Sequence, residues 1–271
     1  MPRYRSASVH SVRRSQPNAD DALVLHHLVE GSGPVVVLLH AGVADLRMWA
    51  PQVAPLGRTH SVVRCDFRGF GGSRLETGAS YSDAEDVLAL LDHLDIARFS
   101  LVGASFGGHV ALQVASAVPE RVDALVLLAP AADLVEPDER LRVSWTDEER
   151  LVEAGDIEAA VELDVRSWVG PEADDEARDL VRHMQRHALV QQVAAGEVDA
   201  RELPVLPDRI TMPTTIVVGA LDFDFFRDTA RQLAVLLPRG RLVELAWAGH
   251  LPSLERPDET TRVVTDALSS R

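Results

Sequence analysis

Lysine is absent from this chain, and all 27 of its basic residues are arginine. A lysine amine forms Schiff bases with carbonyl substrates, and the P-loop of nucleotide-binding proteins uses a lysine to contact phosphates. The sequence therefore excludes mechanisms in which a lysine of this chain carries out either task.

Cysteine and long apolar stretches are also scarce. Cys65 is the only cysteine, which excludes an internal disulfide and a cluster of thiolate metal ligands. No apolar stretch approaches the roughly 18 residues that cross a bilayer, and residues 1–17, a basic N-terminal extension, lack the apolar run of a secretory signal. We expect a cytoplasmic protein that does not bind membranes.

Positively charged residues are outnumbered by the 42 acidic residues, which give the chain a formal net charge of -15. Such a charge repels the phosphate backbone of nucleic acids. The length of 271 residues and the hydrophobic fraction of 46% are enough for one large core. We therefore expect a globular protein whose partner is a small-molecule substrate rather than a nucleic acid, with its oligomeric state left open.

Short runs rich in β-branched residues alternate with longer helical patterns. This alternation predicts an α/β fold in which helices cover both faces of a mostly parallel sheet. Ser82 and Glu85 have the spacing of a capping box and predict a helix over Asp83–His93. The predicted strands are residues 22–29, 35–40, 61–65, 99–103, 124–128, 215–218 and 242–245.

The alternation stops between residues 131 and 211, where helical patterns such as 156–169 and 174–194 occur and no strand is expected. We interpret this segment as an inserted helical cap. The predicted organisation is thus an N-terminal extension at 1–17, a core formed by 18–130 and 212–271, and a cap at 131–211.

The strongest chemical signal is the G-x-S-x-G motif that begins at Gly103 and centres on Ser105. It follows a predicted strand directly and precedes a helical pattern, which is the context of a nucleophile on a tight strand-to-helix turn. The N-terminus of that helix directs its amides at developing negative charge, so the N–H of Phe106 is a natural oxyanion donor. We predict Ser105 as a catalytic nucleophile.

A serine nucleophile needs a base and a carboxylate that orients the base. His250 follows the last predicted strand and is the best candidate for the base. Asp222 follows the strand before it and is favoured as the acid, since it is closest to the strand end. Asp224, two residues further, and Asp133, after the strand at 124–128, stay open as alternatives.

These motifs resemble those of the α/β-hydrolase superfamily, over residues 22 to 268. The segment from His40 to Gly42, with Trp49 beyond it, is similar to the superfamily's loop after the third strand, although Ala41 stands where that loop usually has glycine. By this resemblance, the N–H of Gly42 is the second oxyanion donor. The segment 66–73 resembles a turn whose role in the superfamily is mainly structural.

Within the superfamily, the chain looks most like esterases, 3-oxoadipate enol-lactone hydrolases and cofactor-free haloperoxidases. The resemblance implies a serine hydrolase that cleaves an ester or lactone through an acyl-enzyme and needs no cofactor or metal. Two alternatives stay open: a ligand-binding or sensor protein on the same fold, and a cofactor-free perhydrolase or haloperoxidase-like enzyme.

The substrate pocket is expected between the cap and the sheet, although each apolar residue there could instead belong to the core of the cap. The candidates that could line the pocket are Trp145, Trp168, Met184, His183, His187, Phe223 and Phe225.

Overall fold

The computed structural model describes residues 25–269, so the predicted extension at 1–17 and the start of the first predicted strand lie outside the described residues. Within this part of the chain, the strands are β1 His27–Gly31, β2 Val35–Leu39, β3 Ser61–Cys65, β4 Ser80–Tyr81, β5 Phe99–Ala104, β6 Val122–Leu128, β7 Asp199–Ala200, β8 Thr214–Gly219 and β9 Gly240–Leu245. The helices are α1 Ala50–Leu56, α2 Asp83–His93, α3 Phe106–Ala117, α4 Glu139–Glu153, α5 Ile157–Trp168, α6 Asp175–Ala195, α7 Asp224–Leu236, α8 Pro252–Glu255 and α9 Pro257–Ser269.

Seven strands form one sheet in the order β1-β3-β2-β5-β6-β8-β9. β1 is antiparallel to β3, and every other neighbouring pair is parallel. The predicted strands after the first differ from the observed ones by at most 2 residues at either end. The predicted α/β fold with a mostly parallel sheet is confirmed.

The central strands are mostly apolar because helices cover both faces of the sheet. All residues of β8 are buried, and β6 is buried except for Asp123 near its start. α1 packs on α9 against one side of the sheet, and α2 packs on α3 against the other. The core lies in these two layers, and the carboxyl ends of the strands point to a common edge.

The helix α2 has the predicted bounds, but the predicted capping box does not form. Ser82 is the N-cap residue, yet its side chain makes no capping hydrogen bond, and its buried Oγ has no partner among the described residues. Glu85 accepts a hydrogen bond from Arg201 at 3.2 Å instead of turning back to Ser82. The acidic first turn stabilises this helix end through the helix dipole.

In the segment that was interpreted as a cap, α5 packs against both α4 and α6. Asp156 and Asp174, where helices were predicted to begin, are N-caps whose carboxylates accept hydrogen bonds from the amides of Ala159 and Ala177 at 3.2 and 2.8 Å. The expectation that residues 131–211 hold no strand is wrong, because β7 pairs in parallel with β4. The division into core and cap stays a prediction.

The buried carboxylate of Asp66 organises the turn after β3. Its Oδ1 accepts a hydrogen bond from the amide of Leu46 at 2.7 Å, and its Oδ2 accepts one from the amide of Gly72 at 2.8 Å. His26 Nδ1 lies 2.7 Å from the same Oδ2. Gly71 has a φ of 45°, and a Cβ there would lie 2.2 Å from Asp66 Oδ2. The turn is thus built around one buried acceptor.

Replacing Asp66 with alanine is expected to lower the free energy of unfolding by about 3 to 5 kcal/mol, because buried donors lose a charged acceptor. Urea denaturation followed by circular dichroism measures this change. The control is Asp208→Ala on the surface, which should shift stability by no more than about 0.5 kcal/mol. A loss below about 1 kcal/mol for Asp66→Ala, within the range of ordinary substitutions, would contradict this role.

Candidate active site

Ser105 lies between the last residue of β5 and the first of α3, with φ 51° and ψ -113°. This backbone conformation is strained for any residue other than glycine. It depends on small neighbours: a Cβ at Gly103 would lie 2.3 Å from the carbonyl oxygen of Gly107, and one at Gly107 would lie 2.3 Å from that of Leu39. The G-x-S-x-G spacing therefore reflects close backbone approach on both sides of the serine.

His250 lies on the loop between β9 and α8 and is 4% exposed. Its Nε2 is 2.8 Å from Ser105 Oγ. Two aromatic rings contact the imidazole, whose centroid lies 4.9 Å from that of Trp168 and 4.2 Å from that of Phe226. These contacts fix the plane of the ring with one nitrogen directed at the serine hydroxyl.

Asp222 follows β8 and places its carboxylate against the other side of the imidazole. Asp222 Oδ2 and Oδ1 lie 2.9 and 3.1 Å from His250 Nδ1, and Oδ1 also accepts a hydrogen bond from the amide of Phe223 at 2.7 Å. A carboxylate at Nδ1 favours the tautomer with its proton on that nitrogen, which leaves Nε2 free to accept the hydroxyl proton of Ser105.

The two alternative acids lie elsewhere. Asp224 is the first residue of α7, where its side chain is 72% exposed and forms an ion pair with Arg227 at 2.8 Å. Asp133 is exposed on the loop after β6. Of the three carboxylates that the sequence left open, the structure brings Asp222 to His250.

A small apolar cavity of about 20 Å³ lies over Ser105. Gly42 and Phe106, the predicted oxyanion donors, both line it, so the loop after β2 and the N-terminus of α3 meet at the serine. The remaining lining residues are Val43, Ala131, Trp145, Trp168, Phe225, Phe226 and His250.

The predicted pocket residues divide between this cavity and other places. Trp145 and Trp168 line the cavity over Ser105. Met184 does not line it: it is 1% exposed and packs in the core, with its Sδ 3.4 Å from the amide nitrogen of Asp45. Phe223 does not line it either but borders a neighbouring cavity beside Asp222, where the guanidinium of Arg140 lies 4.1 Å from its ring centroid.

His183 and His187 are also remote from the serine, since both border a surface depression next to Arg47. Arg47 forms an ion pair with Asp45 at 2.6 Å. Burial by itself would raise the pKa of Asp45, but the hydrogen bonds and charge of Arg47 outweigh burial and hold that pKa below its usual value. The guanidinium thus stabilises the N-cap of the turn after β2 rather than facing the cavity.

Glu255 is a residue that the sequence analysis missed. Both of its carboxylate oxygens lie 3.0 Å from the amide nitrogen of Gly249, the residue before His250. Burial raises the pKa of Glu255, and the amide hydrogen bonds work against this effect. A glutamate five residues after the predicted base was visible in the sequence, but no pattern there showed that it would turn back onto the loop.

Among residues 25–269, no group of three His, Cys, Asp or Glu side chains is arranged to hold a metal ion. In the same part of the chain, no helix combines the length and the apolar character needed to cross a membrane.

The comparisons with known proteins agree with this architecture. A protein of Pseudomonas savastanoi pv. phaseolicola, whose name proposes a carbamate hydrolase, is 27% identical over 259 residues, which cover 91% of this chain and 98% of the relative. A pimeloyl-(acyl-carrier protein) methyl ester esterase of Aeromonas hydrophila is 30% identical over 251 residues, which cover 86% and 95%. The crystal structure of the enol-lactonase from Burkholderia xenovorans LB400 has a TM-score of 0.74 and 28% identity, covering 91% of this chain and 96% of that one.

The sequence pattern of the alpha/beta hydrolase family matches residues 36–263. This chain therefore belongs to the alpha/beta hydrolase family, and the predicted resemblance to its esterase and enol-lactone hydrolase members is confirmed. The names of these relatives also support a hydrolase, the broader class to which the predicted activity belongs.

Proposed function

We propose that this protein is a serine hydrolase that cleaves an ester or lactone of a small to medium substrate through an acyl-enzyme. The observation that carries the proposal is the continuous contact from Ser105 Oγ to His250 Nε2, at 2.8 Å, and from His250 Nδ1 to Asp222 Oδ2, at 2.9 Å. A hydroxyl, an imidazole and a carboxylate in this order are what nucleophilic acyl transfer requires.

In the proposed reaction, Ser105 Oγ attacks the substrate carbonyl while His250 Nε2 accepts the hydroxyl proton. Asp222 stabilises the resulting imidazolium. The carbonyl oxygen becomes an oxyanion, and the amides of Gly42 and Phe106 are the proposed donors to it. One such donor is typically worth about 2.7 to 4 kcal/mol of the barrier, so the position of the Gly42 loop matters nearly as much as a catalytic side chain.

The tetrahedral intermediate then collapses, and His250 returns the proton to the leaving alcohol oxygen. A water molecule repeats the sequence on the acyl-enzyme: His250 accepts a proton from the water, the hydroxide adds to the acyl carbon, and Ser105 Oγ leaves with the proton that His250 gives back. The products are a carboxylic acid and an alcohol, which remain one molecule when the substrate is a lactone.

The size of the cavity at Ser105 supports a substrate that has a small group next to the scissile carbonyl. The cavity there holds about 20 Å³ and is walled by Trp145 and Trp168. The names of two relatives, an enol-lactonase and a methyl ester esterase, support esters and lactones as the substrate class.

Reaction with a fluorophosphonate tests the proposal. An activated serine is phosphonylated at its oxygen, and peptide mapping by mass spectrometry should locate the adduct on Ser105 in the folded protein but not after denaturation. A series of aryl esters from acetate to octanoate should be hydrolysed, with the highest kcat/KM at the short end. A protein that neither reacts nor hydrolyses any ester would be a ligand-binding protein on this fold, contrary to the proposal.

A further inference from the structure

A cavity of about 350 Å³ borders Asp222 and His250 but is not lined by Ser105. It lies where the loops after β8 and β9 meet residues of α4, α5 and α6. Cavities that bind small molecules in proteins typically have volumes of roughly 300 to 1,000 Å³. This cavity is therefore large enough for a small organic ligand, whereas the one over Ser105, at about 20 Å³, is much smaller.

Three helices each contribute one arginine to the walls of this cavity. Arg140 lies on the first turn of α4, Arg166 on the last turn of α5 and Arg178 on the first turn of α6. Among the described residues, Asp222 is the one carboxylate that lines the cavity, and its side chain is buried against His250 at 2.9 Å. The walls thus carry an excess of positive charge, although the chain as a whole has a net charge of -15.

Carboxylates near these arginines in the sequence pair with other residues. Glu162, one helical turn before Arg166, forms an ion pair with Arg182 at 2.5 Å. Glu172 forms one with Arg256 at 2.8 Å. Within residues 25–269, none of the three arginines of the cavity forms an ion pair with a carboxylate. Their charge is therefore available to a ligand.

Neutral groups hold two of the three guanidinium groups in place. The guanidinium of Arg140 lies 4.1 Å from the ring centroid of Phe223, which is buried. Arg178 donates a hydrogen bond to the carbonyl oxygen of Gly170 at 2.7 Å. Neither contact neutralises the positive charge, and a guanidinium has five N–H donors in a fixed plane. Because the groups are already positioned, a ligand loses less free energy in ordering them.

We propose that this cavity binds a small organic anion that carries two or more negative charges on carboxylate or phosphate groups. The planar donors of arginine match the oxygens of both groups, and three positive charges favour a ligand with more than one negative charge. The inference goes beyond the proposed function, because the ligand would lie against Asp222 and His250 rather than at Ser105. It also needs no turnover for its test.

Isothermal titration calorimetry of the full-length protein tests the inference with succinate, inorganic phosphate and acetate. The titrations use constant ionic strength and a slightly alkaline pH, at which the first two are mainly dianions. At least one dianion should bind with a Kd of about 1 mM or lower, and at least about tenfold more tightly than acetate. Tighter binding of succinate would identify a dicarboxylate ligand, and tighter binding of phosphate a phosphate monoester.

Variants locate the binding site. Arg140→Gln/Arg166→Gln should weaken binding of the dianion about tenfold or more, because it removes two charged donors. The single variants, each about threefold weaker or more, replace it if the double variant does not fold. Arg142→Gln/Arg262→Gln removes the same charge from exposed positions outside the cavity and should leave the Kd within about twofold. Ser105→Ala should also leave it unchanged, since Ser105 does not line this cavity.

Three results would overturn the inference: no binding of either dianion, binding of acetate as tight as that of the dianions, or equal losses in the cavity variant and the charge-matched control. Weaker binding in Ser105→Ala but not in the arginine variants would place the anion over Ser105 and would also overturn it. None of these results bears on ester hydrolysis or on the fluorophosphonate adduct, so the proposed function would stand or fall separately.

Discussion

Replacing Ser105 with alanine is expected to lower kcat for an aryl ester by about 10⁴-fold or more, because no other atom in the cavity can form the acyl-enzyme. The loss should fall on kcat rather than on KM, since alanine leaves the cavity walls intact. Steady-state kinetics with p-nitrophenyl acetate measures both constants. Ser100→Ala, on the same strand at its opposite end, is the control and should retain the activity of the unaltered protein.

A second set of variants tests whether Ser105 and His250 act together as parts of a catalytic triad or contribute to the rate independently. If Ser105 and His250 act as one unit, the double variant Ser105→Ala/His250→Ala should lose no more activity than Ser105→Ala alone, since the base has no nucleophile left to activate. Multiplicative losses in the double variant would show that His250 acts in another way. Activity retained in Ser105→Ala would remove the serine from the mechanism altogether.

The strands and the turn at Ser105 could be predicted from the sequence because each depends on local pattern. Buried parallel strands need continuous apolar runs, and a strained strand-to-helix turn needs glycine at Gly103 and Gly107. Both requirements can be recognised within a short stretch of the sequence. The order of Ser105, Asp222 and His250 along the chain further supported the choice of these residues, because such an order rarely arises by chance.

The walls of the cavities could not be predicted in the same way. Met184 and Trp168 both have the helical spacing of cap residues, yet Met184 packs in the core and Trp168 contacts the imidazole of His250. Which side of a helix faces the serine depends on how α4, α5 and α6 pack together, and this packing is a property of the assembled fold. The capping box failed for a similar reason, since Arg201 offers Glu85 a stronger partner than the amide of Ser82.

Contacts between segments that are distant in the sequence were the hardest to predict. Glu255 turns back onto the amide of Gly249, and Gln185 meets Asp164 across two helices. The carboxylates of Glu148 and Glu149 are indistinguishable in the sequence from those of any solvated acidic helix. Only the folded structure shows that α4 lies beside the loop after β2, where both side chains line a cavity together with Gly42.

The choice among the three candidate acids can be tested with single-atom changes. Asp222→Asn is expected to lower kcat by about 10⁴-fold, as the corresponding change does in the serine proteases from which this magnitude comes. The amide nitrogen of asparagine would donate to His250 Nδ1 and favour the tautomer with its proton on Nε2. That nitrogen could then no longer accept the proton of Ser105, although the arrangement of the side chains would stay the same.

Asp224→Asn is the matched control, with the same chemical change two residues away. It removes an exposed ion pair with Arg227, which is worth at most about 1 kcal/mol of stability, and it should leave kcat within about twofold. Asp133→Asn should behave likewise, since that carboxylate is exposed on another loop. The opposite pattern, in which Asp224→Asn is inactive and Asp222→Asn is active, would mean that α7 begins differently during catalysis. Because Asp222 Oδ1 also accepts the amide of Phe223 at 2.7 Å, such a change would have to break the start of that helix.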